Sequence, residues 1–205
     1  LLKIPVVTAW NAHDLLWEEH PYDCGRPGTV GTRGGNFVIQ NADFVLILAC
    51  RMNIRMISYQ WEHFAKDAVK AWVEIDRNEL CKPTIKPDIA IHADVKTFLT
   101  HINQKLKAEK DVLQNMQSDW LTWCKEVNVK YPAVRPEYYQ SEKLNPYVFI
   151  KELTKRLSEN TAVICGNGSA CVITFQAAQI KKGQRYFTNS GCAAMGYGFP
   201  AAIGV

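Results

Sequence analysis

A segment of small residues near the end of the chain has the composition best suited to ligand binding. It covers residues 189–204, reads NSGCAAMGYGFPAAIG and holds one methionine, Met195. Glycines let the backbone approach a ligand closely, and methionine offers an adaptable apolar surface. Together these groups suit a flat heteroaromatic ligand better than a sugar or a metal. The alternatives are a structural turn into a helix starting near Pro200, with Met195 filling a gap in the core.

Two other glycine-rich segments are candidates for phosphate binding. They cover residues 28–36, with the sequence GTVGTRGGN, and residues 166–169, with the sequence GNGS. Each precedes a predicted helix, and such loops often bind phosphate through backbone N–H groups. Residues 28–36 lack the GxGxxG spacing and follow no clear strand. For that segment, a loop packed beneath the edge of a sheet is an equally good interpretation.

The histidines and cysteines show no pattern of a metal or disulfide site. No histidine has a ligand neighbour at helical spacing, and the seven cysteines include no CxxC pair. This cysteine usage favours a reducing, cytosolic setting. Cys192 lies within residues 189–204, but no nearby base would activate its thiol. We therefore interpret Cys192 as a small packing residue.

The composition is that of an ordinary globular protein. The chain has 205 residues, of which 47% are hydrophobic and 21% charged, with a formal net charge of +4. Lysines and arginines are scattered, which argues against a nucleic-acid partner. No apolar run reaches the length of a membrane span, and the first residues lack the layout of a signal peptide. We expect a cytoplasmic protein with no nucleic-acid or membrane partner.

Residues 1–105 are predicted to form a small α/β unit. Helical spacing covers residues 58–69, and Asp94 is placed to cap an amphipathic helix over residues 95–103. Strands are predicted at residues 44–50, 71–76 and 89–92, with a strand-like run at 4–8. The alternation of strands and helices predicts a parallel sheet with right-handed crossovers.

Residues 106–144 are predicted as a linker, and a second α/β unit begins at residue 145. The linker contains a predicted helix over residues 118–130 and an extended segment over 131–136. In the second unit, Asn145 is placed to cap a helix that ends at Leu157. Strands are predicted at residues 162–165 and 185–188, with a helix around 172–179 between them. Because the chain starts on a strand-like run and stops within a predicted helix, we expect a piece of a longer protein.

Residues 189–204 resemble the signature SGxxxMG[YF]G[LF]PAAIG of thiamine diphosphate enzymes of the acetolactate synthase and pyruvate oxidase group. His20-Pro21, Asn36, Arg51 and residues 74–78 resemble positions of the central domain of the same family. The resemblance implies an α/β protein with a Rossmann-like, parallel-sheet central domain, truncated at its amino terminus, over residues 1–105. After the linker at 106–144, residues 145–205 would be the truncated start of the cofactor-binding α/β domain.

The same resemblance implies which residues bind thiamine diphosphate. They are Gly168, Ser169, Ala193, Ala194, Met195 and Gly196. Met195 would lie beneath the cofactor between its two rings and enforce a bent shape, with its N–H meeting the pyrimidine. The Ala193 carbonyl would accept a hydrogen bond from the 4′-amino group. Gly168 and Ser169 would lie near the diphosphate, within a turn where relatives carry DxGxH.

Departures from the family pattern leave the substrate and a flavin open. Gly166 stands where aspartate is usual, and Ser169-Ala170 replaces the Gln-His typical of acetolactate synthases. Arg51 aligns with an arginine that touches FAD in flavin-containing relatives. However, residues 52–55 (MNIR) replace the usual acidic pair, so the pattern does not favour FAD. Ion pairing is the preferred interpretation for Arg51, Arg55 and Asp76.

No catalytic residue and no metal ligand is expected within this chain. In the family, the catalytic glutamate belongs to an N-terminal domain and acts across a subunit interface. The Mg²⁺ ion is held by a GDG…N loop that would follow Val205. The chain alone is therefore expected to be inactive, and the full-length parent is expected to be a homodimer or homotetramer.

The resemblance implies a thiamine diphosphate- and Mg²⁺-dependent 2-oxo acid decarboxylase and carboligase, similar to the acetolactate synthase large subunit. A pyruvate-derived acyl carbanion would be added to an acceptor carbonyl, so a small 2-oxo acid is the expected substrate. Two alternatives stay open. One is a non-catalytic nucleotide-binding or regulatory homologue, and the other is a relative that uses another acceptor, such as a sugar or an aldehyde.

Overall fold

The computed structural model describes residues 2–109 and 119–205. Its first half is built on a parallel sheet of three strands, in the order β1-β2-β3. The strands are β1 (Phe44–Leu48), β2 (Val69–Glu74) and β3 (Ile89–His92). The predicted α/β class with parallel strands is confirmed. β1 is shorter than predicted, and β2 begins earlier because Val69 pairs with Phe44 at the start of the register.

The helices of this half begin after residues whose side chains accept hydrogen bonds from the first turn. They are α1 (Arg33–Gln40), α2 (Ile54–Ile57), α3 (Arg77–Leu80) and α4 (Val95–Ala108), capped by Thr32, Asn53, Asp76 and Asp94 respectively. Such caps satisfy backbone donors that have no partner within the helix. The predicted cap at Asp94 is confirmed, and its helix continues beyond the predicted end to Ala108.

The helix predicted over residues 58–69 is wrong. This segment contains a 3-10 turn at Trp61–His63, and its backbone enters the left-handed region at Ser58 and Ala65. The Ala65 N–H donates to the side-chain oxygen of Gln40 at 2.9 Å. Gln40 at the end of α1 therefore binds the Ala65 N–H, which in a continuous helix would bond a carbonyl of the same helix.

The strand-like run at residues 4–8 does not form a strand either. Val6 makes a single bridge with Asp23, in which the Val6 N–H donates to the Tyr22 carbonyl at 2.8 Å. The Cys24 N–H donates back to the Val6 carbonyl at 2.8 Å, but the Thr8 N–H bonds the Gly25 carbonyl rather than that of Cys24, so the parallel register does not continue.

The glycine-rich loop at residues 28–36 is packed against the protein itself. A methyl group on Gly31 or Gly35 would lie closer than 3.0 Å to the backbone of Arg26. One on Gly34 would meet the side chain of Asn128 equally closely. The packing interpretation of this loop is therefore the one that the structure supports, because its glycines make room for neighbouring protein atoms.

The segment predicted as a linker carries a helix that packs on the first half. This helix, α5 (Asp119–Lys130), lies against α1, and Asn128 donates to the Cys24 carbonyl at 2.9 Å. The predicted helix is confirmed from Asp119, while Ser118 lies outside the described residues. A 3-10 turn at Pro136–Gln140 follows the predicted extended segment.

The second half contains a sheet of two parallel strands, β4 (Ala162–Cys165) and β5 (Arg185–Thr188), at the predicted bounds. Its helices are α6 (Pro146–Arg156), α7 (Ser169–Ala177) and α8 (Gly198–Ile203). Asn145 caps α6 by accepting from the Tyr147 N–H, as predicted. Of all helices in the described ranges, none is long and apolar enough to cross a membrane.

Polar side chains join the two halves at α7. Arg26, whose side chain is 6% exposed, donates to the Phe175 carbonyl at 2.7 Å and to the Ala178 carbonyl at 3.3 Å. Gln176 donates to the Val30 carbonyl at 2.7 Å. α7, the helix that follows β4, is thus fixed to the first half of the chain.

His13 is buried in the same interface. Its ring contacts Phe175 and Tyr186 edge-on, and its Nδ1 lies 2.7 Å from the Trp10 carbonyl oxygen. The pKa of His13 is lowered from 6.5 to about 4, chiefly by burial and also by the Arg26 charge, while the Trp10 hydrogen bond and Asp14 act in the opposite direction.

We expect the free energy of unfolding to fall as the pH is lowered from about 6.5 to about 4. Above pH 6.5, His13 is neutral in both the folded and the unfolded state. Between pH 6.5 and about 4, His13 is protonated in the unfolded chain but stays neutral in the folded protein, which favours unfolding. The shift corresponds to a loss of about 3 kcal/mol. Urea unfolding over this pH range measures it, and His13→Gln should show a smaller loss. Equal pH dependence in the two proteins would contradict the assignment to His13.

Candidate functional site

Two loops meet at the carboxyl edge of the second sheet. The β4 loop (residues 166–168) follows β4, and the β5 loop (residues 189–197) follows β5. Because the two strands are parallel neighbours, both loops leave the sheet on the same side. Where they meet, a methyl group on Gly198 would lie 3.5 Å from the Gly166 nitrogen. This edge is where open parallel sheets bind ligands.

The β4 loop ends in backbone donors at the start of α7. Gly168, the residue before the helix, has φ +66°, a conformation that glycine adopts readily. Within the described part of the chain, no side chain caps this helix. The N–H groups of its first turn, together with the exposed Ser169 hydroxyl, can therefore bind an anion such as a diphosphate.

The β5 loop presents Met195 to solvent. The Met195 side chain is 93% exposed, so the alternative that it fills a gap in the core is wrong. Ala193 and Gly196 on either side have positive φ angles of 53° and 83°. Residues 193–196 thus form an exposed segment with one large apolar side chain.

Side chains from three places hold the carbonyl groups of the β5 loop. The bonds run from Asn167 to the Ala193 oxygen, from Asn189 to the Ala194 oxygen at 3.1 Å, and from Arg55 to the Ser190 oxygen at 2.7 Å. Arg55 also lies over the Trp10 ring, 5.2 Å from its centroid. Sequence reasoning assigned none of these bonds. The only signal was the position of Asn167 between two glycines.

The glycines of the two loops differ from those of residues 28–36 in what surrounds them. At Gly166, Gly168, Gly191 and Gly196, no described residue other than the chain neighbours has an atom within 4 Å of where a side chain would begin. The junction of the loops is therefore open, whereas the earlier loop is filled by protein. An open cradle of backbone with an exposed methionine fits a flat cofactor with an anionic tail.

The structure places the predicted binding residues at this junction. Gly168 and Ser169 lie at the start of α7, and residues 193–196 lie in the β5 loop, joined to them through Asn167. Their roles toward thiamine diphosphate stay predictions. Cys192 is exposed in the same loop, so its interpretation as a packing residue is wrong.

The charged candidates of the first half have partners within the described residues. Arg51 lies 3.9 Å from Glu79, in an ion pair as expected. Asp76 caps α3 by accepting from the Asn78 N–H at 2.9 Å, and Arg55 donates to the Ser190 carbonyl. Neither has an ion-pair partner among the described residues, so ion pairing at a surface or interface stays a prediction for these two. Among the described residues, no group of three or more histidine, cysteine, aspartate or glutamate side chains could hold a metal ion.

Comparison with protein-family models gives two matches, one in each half of the chain. Residues 1–102 match the central domain of the thiamine pyrophosphate enzymes. Residues 166–205 match the C-terminal TPP binding domain of the same enzymes. The second match includes both loops of the junction.

Comparison with curated proteins gives relatives over nearly the whole chain. The acetolactate synthase isozyme 1 large subunit of Escherichia coli K12 is 28% identical over 202 residues, covering 98% of this chain and 34% of the relative. The acetolactate synthase large subunit of Lactococcus lactis is 29% identical over 204 residues, covering 98% and 34%. A probable acetolactate synthase large subunit of Methanocaldococcus jannaschii is 27% identical over 210 residues, covering 99% and 34%. The chain thus spans about a third of the length of these relatives.

Proposed function

Because this chain belongs to the thiamine pyrophosphate enzyme family, we propose that the whole protein is a 2-oxo acid decarboxylase and carboligase dependent on thiamine diphosphate and Mg²⁺. In this reaction a small 2-oxo acid such as pyruvate loses carbon dioxide, and the remaining acyl unit is joined to an acceptor carbonyl. The relatives named as acetolactate synthase large subunits support this reaction type.

One observation carries the proposal: an exposed methionine and an uncapped helix start face one open junction of loops. Met195 is 93% exposed, and residues 191–196 around it are all exposed. α7 begins at the neighbouring loop with its first-turn N–H groups uncapped by any side chain of the described residues. An apolar support beside an anion site matches a cofactor with aromatic rings at one end and a diphosphate at the other.

The chain's own residues would bind and orient the cofactor. When bound, thiamine diphosphate supplies the electron sink that decarboxylation requires. Ser169 and the first turn of α7 would hold its diphosphate, with the charge favoured at the helix start. Met195 would support the bend between the rings, and the Ala193 carbonyl would accept from the amino group. Positioning of this kind accounts for most of what the protein contributes.

The proposal extends to domains and partners. We propose residues 1–105 as a central domain, 106–144 as a linker and 145–205 as the start of the cofactor-binding domain. A homodimer or homotetramer in the cytoplasm, with Mg²⁺ and the catalytic glutamate held by other segments, is part of the same proposal.

An assay of the protein made from its full reading frame tests the function. We expect acetolactate and carbon dioxide from pyruvate only when both thiamine diphosphate and Mg²⁺ are present, and we expect chelation of the metal to abolish turnover. Calorimetric titration with thiamine diphosphate gives binding independently of turnover. A protein that neither binds the cofactor nor consumes pyruvate would contradict the proposal.

The same assay separates the alternatives. Cofactor binding without consumption of any 2-oxo acid would favour a regulatory homologue. Release of carbon dioxide with products formed only from an added aldehyde or sugar would favour a different acceptor. The absorption spectrum of the purified protein tests for FAD, which the local partners of Arg51 and Asp76 do not require.

A further inference from the structure

We infer that Asn167 is a positioning residue that holds the Ala193 carbonyl in place for the amino group of the cofactor. The inference rests on the proposed function, because it concerns the same junction. It adds a residue that the family resemblance did not assign. The observation behind it is the hydrogen bond from the Asn167 side chain to the Ala193 oxygen.

Ala193 needs an external constraint to keep its conformation. Its φ of 53° lies in the left-handed region, which non-glycine residues adopt at a cost and keep only when the surroundings enforce it. The side chains around it give little packing, since residues 191–196 are all exposed. Hydrogen bonds to the carbonyl groups are therefore what fixes the loop, and the one at Ala193 comes from Asn167.

Asn167 is itself held where it can make this bond. It lies between Gly166 and Gly168 in the β4 loop, directly before α7. Gly198 lies close to Gly166, since a methyl group on Gly198 would be 3.5 Å from the Gly166 nitrogen. α7 is tied to the first half through Arg26, so Asn167 projects from a fixed base onto an exposed loop. A single side chain thus links the anion-binding end of the junction to its methionine end.

The bond leaves the Ala193 carbonyl able to serve the cofactor. A carbonyl oxygen has two lone pairs, and the Asn167 amide occupies one of them. The second lone pair remains for an amino group that arrives from the open side of the loop. Asn167 therefore orients the Ala193 carbonyl without occupying the lone pair that the cofactor's amino group would use. Without the Asn167 side chain, this carbonyl would be free to rotate away from the amino group.

Two substitutions of Asn167 distinguish the effect of its hydrogen-bond donor from the effect of its side-chain shape. Asn167→Ala removes the side chain, whereas Asn167→Asp keeps its shape and puts an oxygen in place of the donor. We expect both to raise amide hydrogen exchange of residues 193–196 about tenfold in the cofactor-free full-length protein, the loss expected for one hydrogen bond. With cofactor and Mg²⁺, we expect kcat to fall about tenfold, while KM for pyruvate changes less than about twofold.

Asn41→Ala is the matched control. Asn41 also donates its side-chain amide to a backbone carbonyl, that of Phe37, at 2.8 Å, but it lies at the end of α1. We expect unchanged exchange in residues 193–196 and unchanged turnover in this variant. The same change in Asn41→Ala as in Asn167→Ala would overturn the inference, because the effect would not be local.

The outcomes also separate this inference from the proposed function. A wild type that binds thiamine diphosphate and turns over, with Asn167→Asp indistinguishable from it, would overturn the role of Asn167 and leave the function standing. A wild type that does not bind the cofactor, with exchange still raised in both variants, would overturn the function and uphold Asn167 as the residue that holds Ala193.

Discussion

Replacing Met195 by alanine is expected to lower turnover of the full-length enzyme about 100-fold without lowering its unfolding temperature. The loss follows if Met195 supports the bent cofactor, because a displacement of about 1 Å between reacting groups can cost about that factor. Stability should be unaffected, since the side chain is 93% exposed and makes little contact with the core. Steady-state kinetics and thermal unfolding measure the two effects separately.

Two further variants define what the Met195 result means. Met195→Leu keeps a similar apolar volume and should retain most of the turnover. Leu144→Ala removes another exposed apolar side chain, 72% exposed and outside the junction, and should change neither property. Full turnover in Met195→Ala would show that the exposed methionine supports no cofactor.

Replacing Arg26 by methionine is expected to reduce the free energy of unfolding by about 3 kcal/mol. The substitution leaves the Phe175 and Ala178 carbonyls without their donor inside the interface. Glu18, 3.3 Å from Arg26, also loses its cation. Because Phe175 belongs to α7, cofactor affinity should weaken together with stability. Urea unfolding and titration with thiamine diphosphate test the pair of effects.

Arg156 provides the comparison for Arg26. It also pairs with a carboxylate, Glu152 at 3.1 Å, but its side chain is 72% exposed. Exposed ion pairs contribute little, so Arg156→Met should change stability by less than about 0.5 kcal/mol. If the two variants lose the same amount, burial of Arg26 is not what makes it important.

The elements that sequence patterns located best are those defined by their own residues. β3, β4 and β5 have the predicted bounds, because each is a short run rich in apolar, aromatic or β-branched residues. The caps at Asp94 and Asn145 are likewise local. The failed helix at residues 58–69 depends on a distant residue, since Gln40 takes the Ala65 N–H. The helical spacing of residues 58–69 cannot reveal a contact with a residue outside that segment.

The candidate site likewise has features that the sequence reveals and features that depend on distant residues. Residues 166–169 and 189–204 could be singled out, because glycine density and a lone methionine are visible in the sequence. The hydrogen bonds that hold the β5 loop could not. Arg55 and Ser190 are 135 positions apart, and Asn167 and Ala193 are 26 apart. The packing of the two halves brings Arg55 to the Ser190 carbonyl, and the pairing of β4 with β5 brings Asn167 to the Ala193 carbonyl.

The packed glycines of residues 28–36 and the open glycines of the β4 and β5 loops should be conserved for different reasons. In a library of variants sorted by cellular abundance, alanine at Gly31 or Gly35 should disappear, because the added methyl group collides with the Arg26 backbone. A methyl group at Gly166 or Gly191 would lie more than 4 Å from every described residue other than its chain neighbours. Alanine variants at these positions should therefore keep normal cellular abundance. The same variants should be lost only when the library is sorted by catalysis, so the ligand, rather than the fold, preserves those glycines.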